Sequence, residues 1–319
     1  QCLTHGWTVD GEGKAMHKSL GNGIDPKDIL KEFGADLIRL WAASADYHAD
    51  VRCSKDIFKQ LSQNYLKFRN TCKFMLDNLV DFDPEKLTPA EEMPELDRWL
   101  ITKLNALIEK VAQAYDDYEF HIITHTVNDF CVNVLSSFYL DIVKDRLYCD
   151  GADSASRRSV QTALYLVLDS LAKLYAPILA FTCDEIWLAM PHTQKDDARN
   201  VVLNELNQPF ASYALNEAAM LRWSCLGMLR DGVNAALEAA RAEKRIGKSL
   251  EAHVTLVMDE SAADNLTQLA KAFAADWADY FIVSDVEISS DAALYAEAAE
   301  TPIAGVRVLI SEAKGGKCP

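Results

Sequence analysis

The feature that most constrains this chain is a set of long segments in which apolar residues recur every three or four positions. This period places the apolar side chains on one face of an α-helix, and that face must be buried against other elements. The clearest segment follows Ser54, a good N-cap residue, and contains Ile57, Leu61, Tyr65, Phe68, Cys72, Met75 and Leu79. Comparable segments at 96–114, 122–148 and 156–175 predict a bundle of four long helices.

Shorter elements are predicted before and after this bundle. Asp25 and Pro26 are typical of a helix start and Gly34 of a helix end, so helices are expected over 25–33 and 35–44. Thr182, with Glu185 three positions later, has the form of a capping box for a short helix. The other predictions are a strand, turn and strand over 2–16, helices over 215–245 and 262–275, and strands over 253–258, 280–288 and 306–310. The tail is therefore expected to be a small α/β unit.

Composition excludes several classes of protein. Six Trp, twelve Phe and eleven Tyr supply a core that an acidic disordered chain lacks, and no run of about 18 uncharged apolar residues predicts a membrane span. Eight cysteines are scattered singly without a Cys-x-x-Cys pair, which favours buried free thiols in a reducing compartment. The chain opens without Met or a signal peptide and closes on Gly-Gly-Lys-Cys-Pro, so we interpret it as a piece of a longer protein.

The net charge of -16 argues at first against a nucleic-acid binder. The charge is unevenly distributed, however. Residues 14–73 carry eleven basic and seven acidic side chains, whereas residues 77–97 carry eight acidic side chains and one lysine. Residues 249–319 carry twelve acidic and four basic side chains. Because salt confines the field of a charge to about 8–10 Å, the local balance leaves the first segment open to phosphates.

The segment Lys14 to Gly23 is short, cationic and rich in glycine. Its glycines let the backbone approach a ligand, while Lys18 supplies a point charge and Ser19 a hydroxyl donor for phosphate. Taken alone, however, such a pattern is a weak signal, because a short loop of lysine and glycine is more often a solvated surface turn.

The context of this loop resembles a known family. Residues Met16 to Asn22 resemble the KMSKS signature (Lys-Met-Ser-Lys-Ser) of class I aminoacyl-tRNA synthetases. The flanking segments 4–11 and 34–41 match as well, and the second resembles the segment that follows this loop in isoleucyl-, valyl- and leucyl-tRNA synthetases. The segments that resemble isoleucyl-tRNA synthetases are 96–99, 138–148, 157–159, 176–178, 181–187, 247–252 and 316–319. The resemblance covers the whole chain, and the order and spacing of the segments make it specific.

The resemblance implies an ATP-binding loop formed by Lys14, Met16, Lys18 and Ser19, with Lys18 as the catalytic residue that contacts the phosphates as pyrophosphate leaves. The family activates isoleucine with ATP and Mg²⁺ to an adenylate and then transfers the acyl group to tRNA(Ile). The chain departs from the signature in two places, because Ala15 stands at the first Lys and His17 at the middle Ser. Whether Lys14, one position earlier, supplies the charge lost at Ala15 is left open by the sequence. His17 is interpreted as an exposed residue rather than a phosphate donor.

Two parts of the family's machinery are missing from the sequence. No His-x-Gly-His occurs, so half of the ATP site is absent and the chain alone is predicted not to form adenylate. Cys318 resembles the first ligand of the four-cysteine zinc site in the full-length enzymes. One thiolate cannot hold zinc in a closed tetrahedral site, so no zinc is expected in these residues.

The resemblance assigns the bundle to an anticodon-binding domain. The candidate tRNA contacts are Lys144, Arg146, Tyr148, Arg157 and Arg158 beside the turn after the fifth helix, and Arg241, Lys244 and Arg245 at the end of the long helix. Alternatively the first group is a solvated bundle end, since Asp141, Asp145, Asp150 and Asp153 balance it. The second group could instead complement a helix dipole.

Together these inferences predict a mainly α chain in three parts. Residues 1–50 are expected to be the KMSKS-loop end of a Rossmann-like catalytic domain, 51–205 a helical anticodon-binding domain, and 206–319 a long helix with a small α/β region. The predicted function is part of an isoleucyl-tRNA synthetase, monomeric and cytoplasmic, with tRNA(Ile), isoleucine and ATP as partners and no membrane. The alternatives are a valyl-tRNA synthetase fragment and a non-catalytic helical RNA-binding module.

Overall fold

The computed structural model of the chain describes residues 2–259, 269, 272–273 and 276–313, with the side chain of Lys18 left out. The chain divides into two compact units, 1–214 and 215–319. Helices dominate the first unit and a small sheet forms in the second. This arrangement confirms the predicted fold class, whereas the predicted division into three domains stays a prediction.

The helices of the first unit follow the predicted order. They are α1 (Pro26–Phe33), α2 (Ala35–Ser44), α3 (Lys55–Asp77), α4 (Glu95–Asp116), α5 (Phe120–Asp129), a π-helical segment (Phe130–Tyr139), α6 (Leu140–Ile142), α7 (Lys144–Tyr148), α8 (Ala155–Tyr175) and α9 (Ala180–Ala189). The helix α8 lies at the centre, and every residue from 159 to 175 is buried. It packs against α3, α4, α7 and α9, which makes it the core of the bundle.

Several predicted helix ends are confirmed by their caps. The Asp25 carboxylate accepts the backbone N–H of Lys27 at the start of α1, where Pro26 needs no hydrogen-bond partner. Gly34 ends α1 with a φ of 86°, in the left-handed region that favours glycine. The Ser54 hydroxyl accepts the backbone N–H of Ile57 at the start of α3.

Two predictions differ from the structure in this unit. The helix expected over 122–148 is a series, in which the π-helical segment inserts a wider turn and Val143 separates α6 from α7. The capping box predicted at Thr182 is wrong, because α9 begins at Ala180 and places Thr182 inside the helix. Its backbone N–H is bound by the distant carboxylate of Asp36, which replaces a local cap.

The first 16 residues form less sheet than the predicted strand, turn and strand. Strand β1 (Thr8–Val9) pairs in parallel with β2 (Val51–Arg52), and the expected hairpin is reduced to one antiparallel bridge between Val9 and Ala15. The carbonyls of Trp7 and Val9 accept the N–H groups of Val51 and Cys53 at β2. The turn that follows β1 is held by the Asp10 side chain, which accepts the N–H groups of Glu12 and Lys14.

The second unit is the expected α/β structure. It contains α10 (Glu217–Ala242), β3 (Ala252–Met258), α11 (Trp277–Phe281), β4 (Asp285–Ser289), α12 (Ala292–Glu297), β5 (Ala299–Glu300) and β6 (Val306–Glu312). The strand order is β4-β3-β6-β5, with β3 parallel to β4 and antiparallel to β6. The predicted strand 280–288 begins within α11, and the predicted helix 262–275 lies largely outside the described residues.

Candidate functional site

A clasp of two side chains shapes the loop between β1 and α1. The Asn22 amide donates to the Asp10 carboxylate (2.8 Å) and to the Ala15 carbonyl (3.1 Å), and its oxygen accepts the His17 N–H (2.9 Å). The Asp10 carboxylate also accepts the N–H of Lys14 (2.8 Å). These hydrogen bonds, first that of the Lys14 N–H and then that of Asn22, hold the pKa of Asp10 below its ordinary value. Sequence reasoning missed both clasp residues.

The clasp leaves the residues of the predicted ATP loop at the surface. The Lys14 ammonium is exposed and lies 2.8 Å from the Glu12 carboxylate, while Met16 is half-buried and His17 and Ser19 are exposed. Lys18 and Ser19 belong to a short 3₁₀ turn over Lys18–Leu20, and Gly21 follows with a φ of 64°. The loop therefore presents its backbone and small side chains to solvent, as a phosphate-binding loop requires.

The end of the bundle brings together Arg157, Arg158 and Asp81, which belongs to the acidic segment 77–97. The Arg157 guanidinium binds both oxygens of the Asp81 carboxylate at 2.7 and 2.9 Å. Arg158 donates to the Asp81 carbonyl (2.8 Å) and to the carboxylate of Asp153 (3.0 Å). Both side chains are held by the protein, so they order the turn before α8.

The Arg146 side chain points into the bundle and forms an ion pair there. Its guanidinium donates to the two oxygens of the Asp97 carboxylate at 2.9 and 2.7 Å, and Asp97 is fully buried. The same carboxylate accepts the hydroxyls of Tyr139 (2.8 Å) and Ser159 (2.5 Å). One signal for Asp97 was present in the sequence, because it lies three positions before Leu100 on the apolar face of α4.

Lys144 and Tyr148 are the accessible members of the first predicted group. The Lys144 ammonium is half-exposed and contacts the Asp141 carboxylate. The Tyr148 ring is 63% exposed, and its hydroxyl accepts a hydrogen bond from the Asn78 amide at 3.4 Å. An exposed ring beside a cation is the arrangement that stacks on an unpaired base.

The acidic segment 77–97 is not simply a solvated negative surface, because two of its carboxylates form ion pairs within the bundle. Its Asp81 and Asp97 are the counter-ions of Arg157 and Arg146, so part of its negative charge neutralises the bundle end internally. The charge available to a ligand there is smaller than the number of basic residues indicates.

Replacing Asp81 with asparagine should make the first unit less stable, by about 1 kcal/mol after allowance for the partial exposure of the carboxylate. The Arg157 guanidinium, and after it the Gln161 amide, hold the pKa of Asp81 well below its usual value of 3.8. A lowered pKa stabilises the fold above the unfolded-state value, and this contribution is lost as the pH falls through the folded-state value.

The difference between the variant and the parent should therefore shrink as the pH is lowered from about 5 to 2. Urea unfolding at a series of pH values measures it. Asp83→Asn is the control and should cost less, since Asp83 is exposed, forms a surface ion pair with Lys86 and accepts the Glu85 N–H. A difference that is as large at pH 2.5 as at pH 7 would contradict the role of Asp81.

The second predicted group lies in the second unit, with Arg241 in the last turn of α10 and Lys244 and Arg245 just after it. The backbone of Lys244 has a φ of 58°, so the chain changes direction there. A cleft of about 500 Å³ lies at this bend and is lined by Arg241, Lys244, Arg245, Ile246, Gly247, Glu251 and Glu312. Arg241 contacts Glu238, and Arg245 donates to Glu243 at 2.7 Å. The cleft is thus cationic but already partly neutralised, and the assignment of its residues to tRNA stays a prediction.

Within the described part of the chain, no group of three or more His, Cys, Asp or Glu side chains is placed to hold a metal ion. The predicted zinc ligand Cys318 lies outside the described residues. No described helix is long and apolar enough to cross a membrane.

Comparison with known families matches two parts of the chain. Residues 97–256 match the family described as the anticodon-binding domain of tRNA ligase, and residues 1–54 match class I tRNA synthetases (I, L, M and V). The first match runs from α4 into β3, and the second contains the clasped loop and both helices that follow it.

Curated proteins of similar sequence are named isoleucine–tRNA ligase. Those of Thermoanaerobacter sp. (strain X514), Geobacter sulfurreducens and Moorella thermoacetica are 44%, 43% and 46% identical over 99%, 100% and 100% of the chain. The chain spans 34% of the length of each of these relatives.

Solved structures of similar fold include two class I enzymes. A leucyl enzyme of Agrobacterium radiobacter K84, in a ternary complex with tRNA, covers 89% of this chain and 32% of its own with a TM-score of 0.51 at 16% identity. The methionyl-tRNA synthetase of Mycobacterium tuberculosis covers 58% of this chain and 37% of its own, with a TM-score of 0.50 at 18% identity. At these identities the likeness concerns the fold alone.

Proposed function

Since the chain belongs to the family of tRNA ligase anticodon-binding domains, we propose that it is the part of an isoleucine–tRNA ligase that joins the ATP loop to the tRNA-binding bundle. The observation that carries the proposal is the identity of 43–46% over the whole chain to proteins of that name. The same relatives disfavour the valyl alternative. The order of the two matched families, loop first and bundle second, agrees with the proposal.

In this function the longer protein joins isoleucine to ATP as an adenylate, releases pyrophosphate and passes the acyl group to the 3′ end of tRNA(Ile). The clasped loop contributes Lys18 and Ser19 to the departing phosphates, with Mg²⁺ accompanying ATP. Lys14 can replace the charge lost at Ala15 if it leaves Glu12 for the nucleotide. The amino-acid pocket lies in the part of the ligase beyond these residues.

The bundle end is the proposed tRNA surface, in which the residues have two distinct tasks. Lys144 and Tyr148 are exposed and available to a phosphate and a base. Arg157 and Arg158 hold the 149–155 turn through Asp81, and Arg146 braces it from inside through Asp97. Arg241, Lys244 and Arg245 form a second phosphate-contacting surface in the other unit.

A salt titration of the chain with isoleucine and valine tRNA transcripts tests this surface. We expect tighter binding of the isoleucine transcript, and a Lys144→Ala variant should reduce the slope of log K against log salt by about one. Tyr148→Ala should cost about 1–3 kcal/mol of binding if the ring stacks on a base.

Lys110→Ala is the matched control. Lys110 is exposed on α4, about 20 Å along the helix from Asp97. Equal affinity for the two transcripts, or an unchanged slope for Lys144→Ala, would contradict the proposed surface.

A non-catalytic RNA-binding module is the other function to be distinguished. Isoleucine-dependent ATP–pyrophosphate exchange by the longer protein separates the two, since only the ligase catalyses it. We further propose that the ligase acts as a monomer in the cytoplasm, where tRNA is charged for translation. Zinc would belong to the four-cysteine tail of the longer protein, with Cys318 as one ligand.

A further inference from the structure

Helix α2, which follows the clasped loop and α1, carries a buried carboxylate that binds a remote part of the chain. Asp36 is only 6% exposed. Its Oδ2 accepts the Thr182 backbone N–H at 2.7 Å and the Thr182 hydroxyl at 2.6 Å, and its Oδ1 accepts the Phe181 N–H at 3.3 Å. These are first-turn N–H groups of α9, which lacks a side-chain cap of its own.

Arg39, one turn further along α2, grips the same region. Its Nε donates to the Ile178 carbonyl at 2.9 Å and its Nη2 to the Pro177 carbonyl at 2.6 Å. These carbonyls lie in the turn between α8 and α9. Asp36 and Arg39 therefore bind the same backbone turn in complementary ways. The Asp36 carboxylate accepts its N–H groups, and the Arg39 guanidinium donates to its carbonyls.

The other end of α2 is fastened to the strands that carry the loop. The Trp41 indole N–H donates to the Arg52 carbonyl at 2.9 Å, and the Gly6 N–H donates to the Tyr47 carbonyl at 2.8 Å. Arg52 belongs to β2, whose partner β1 leads directly into the clasp at Asp10. Helix α2 thus connects the loop at one end to the α8–α9 turn at the other.

The α8–α9 turn is itself attached to the proposed tRNA surface. Helix α8 has 21 residues, is buried from Ser159 to Tyr175 and carries Arg157 and Arg158 in its first turn. At its far end, about 30 Å away, lies the turn that Asp36 and Arg39 hold. A rigid element therefore runs from the tRNA surface to α2, and α2 runs on to the loop.

From these contacts we propose that Asp36 and Arg39 are positioning residues that set the place of the ATP loop relative to the anticodon bundle. The proposal rests on the proposed function. Neither side chain touches substrate; both act through α2. Asparagine cannot replace Asp36, because its amide N–H₂ would face the N–H groups of α9 where an acceptor is needed.

The test uses the whole ligase from which the chain comes, with Asp36→Asn and Arg39→Lys compared with the control Asp28→Asn. Asp28 is an exposed carboxylate in the first turn of α1. We expect kcat for isoleucine-dependent ATP–pyrophosphate exchange to fall about tenfold or more in both variants, because a small displacement of a catalytic loop is costly. KM for isoleucine and Kd for tRNA(Ile) should stay within about twofold of the parent.

Several outcomes would overturn the proposal. One is an exchange kcat in folded Asp36→Asn and Arg39→Lys within about twofold of the parent. Another is a tRNA Kd that weakens as much as kcat falls, since that would show general loss of structure. Should Asp36→Asn fail to fold, Thr182→Val removes the hydroxyl bonds to the Asp36 carboxylate and to the Tyr65 hydroxyl and keeps the backbone bond to Asp36. An unchanged kcat in that variant also counts against the proposal.

Failure of the proposed function looks different from failure of this inference. A parent ligase without isoleucine-dependent exchange would refute the function itself. A fully active parent with equally active variants would refute only the positioning role.

Discussion

An Asp97→Ala variant is expected to lose about 3–5 kcal/mol of unfolding free energy, because the Arg146 charge would remain in the bundle without its partner. The Asp97 carboxylate is fully buried and accepts four hydrogen bonds, two from Arg146 and one each from Tyr139 and Ser159. Burial, and next the Asp97 charge, raise the pKa of Tyr139 far above its usual range, so its hydroxyl keeps its proton and donates.

Urea unfolding followed by circular dichroism measures this loss. Asp141→Ala should cost less than about 1 kcal/mol, since its pair with Lys144 is at the surface. A double variant, Asp97→Leu with Arg146→Met, should recover much of the stability because apolar side chains can replace a buried ion pair. If Asp97→Ala were no more harmful than Asp141→Ala, the network would not be the brace described here.

The second large effect is expected at the loop. In the whole ligase, Lys18→Ala should lower the rate of isoleucine-dependent ATP–pyrophosphate exchange by about 10²–10³-fold, as loss of a group that stabilises departing phosphates does. The KM for isoleucine should change little, because the amino acid is bound elsewhere.

Lys31→Ala is the control for Lys18→Ala, as Lys31 is an exposed lysine in the last turn of α1. An exchange rate that Lys18→Ala leaves intact would contradict the assignment of the loop. The chain on its own should give no exchange above background, because it lacks His-x-Gly-His.

Local signals predicted much of the fold. The start of α1 at Asp25 and Pro26, its end at Gly34 and the start of α3 after Ser54 all follow from hydrogen bonds between residues at most four positions apart. The apolar period of the long helices likewise needs only neighbouring residues. The same local reasoning failed at Thr182, because the group that satisfies its N–H is Asp36.

The candidate site divides in the same way. The cationic glycine-containing loop and its family resemblance are visible in the sequence, as are the basic residues around 144–158. The sequence did not reveal that Asp81 and Asp97 neutralise Arg157 and Arg146, since an acidic segment next to a helix is ordinarily solvated.

The sequence by itself determined which segments are helical, where several of them begin and end, and which loop resembles an ATP signature. Those properties depend on periodicity and on caps within one turn of chain. Only the tertiary structure decided which charges are free for a ligand and which elements hold the loop. The ion pair of Arg146 with Asp97 spans 49 positions and the hydrogen bond of Thr182 with Asp36 spans 146, so both form only when packing brings distant helices together.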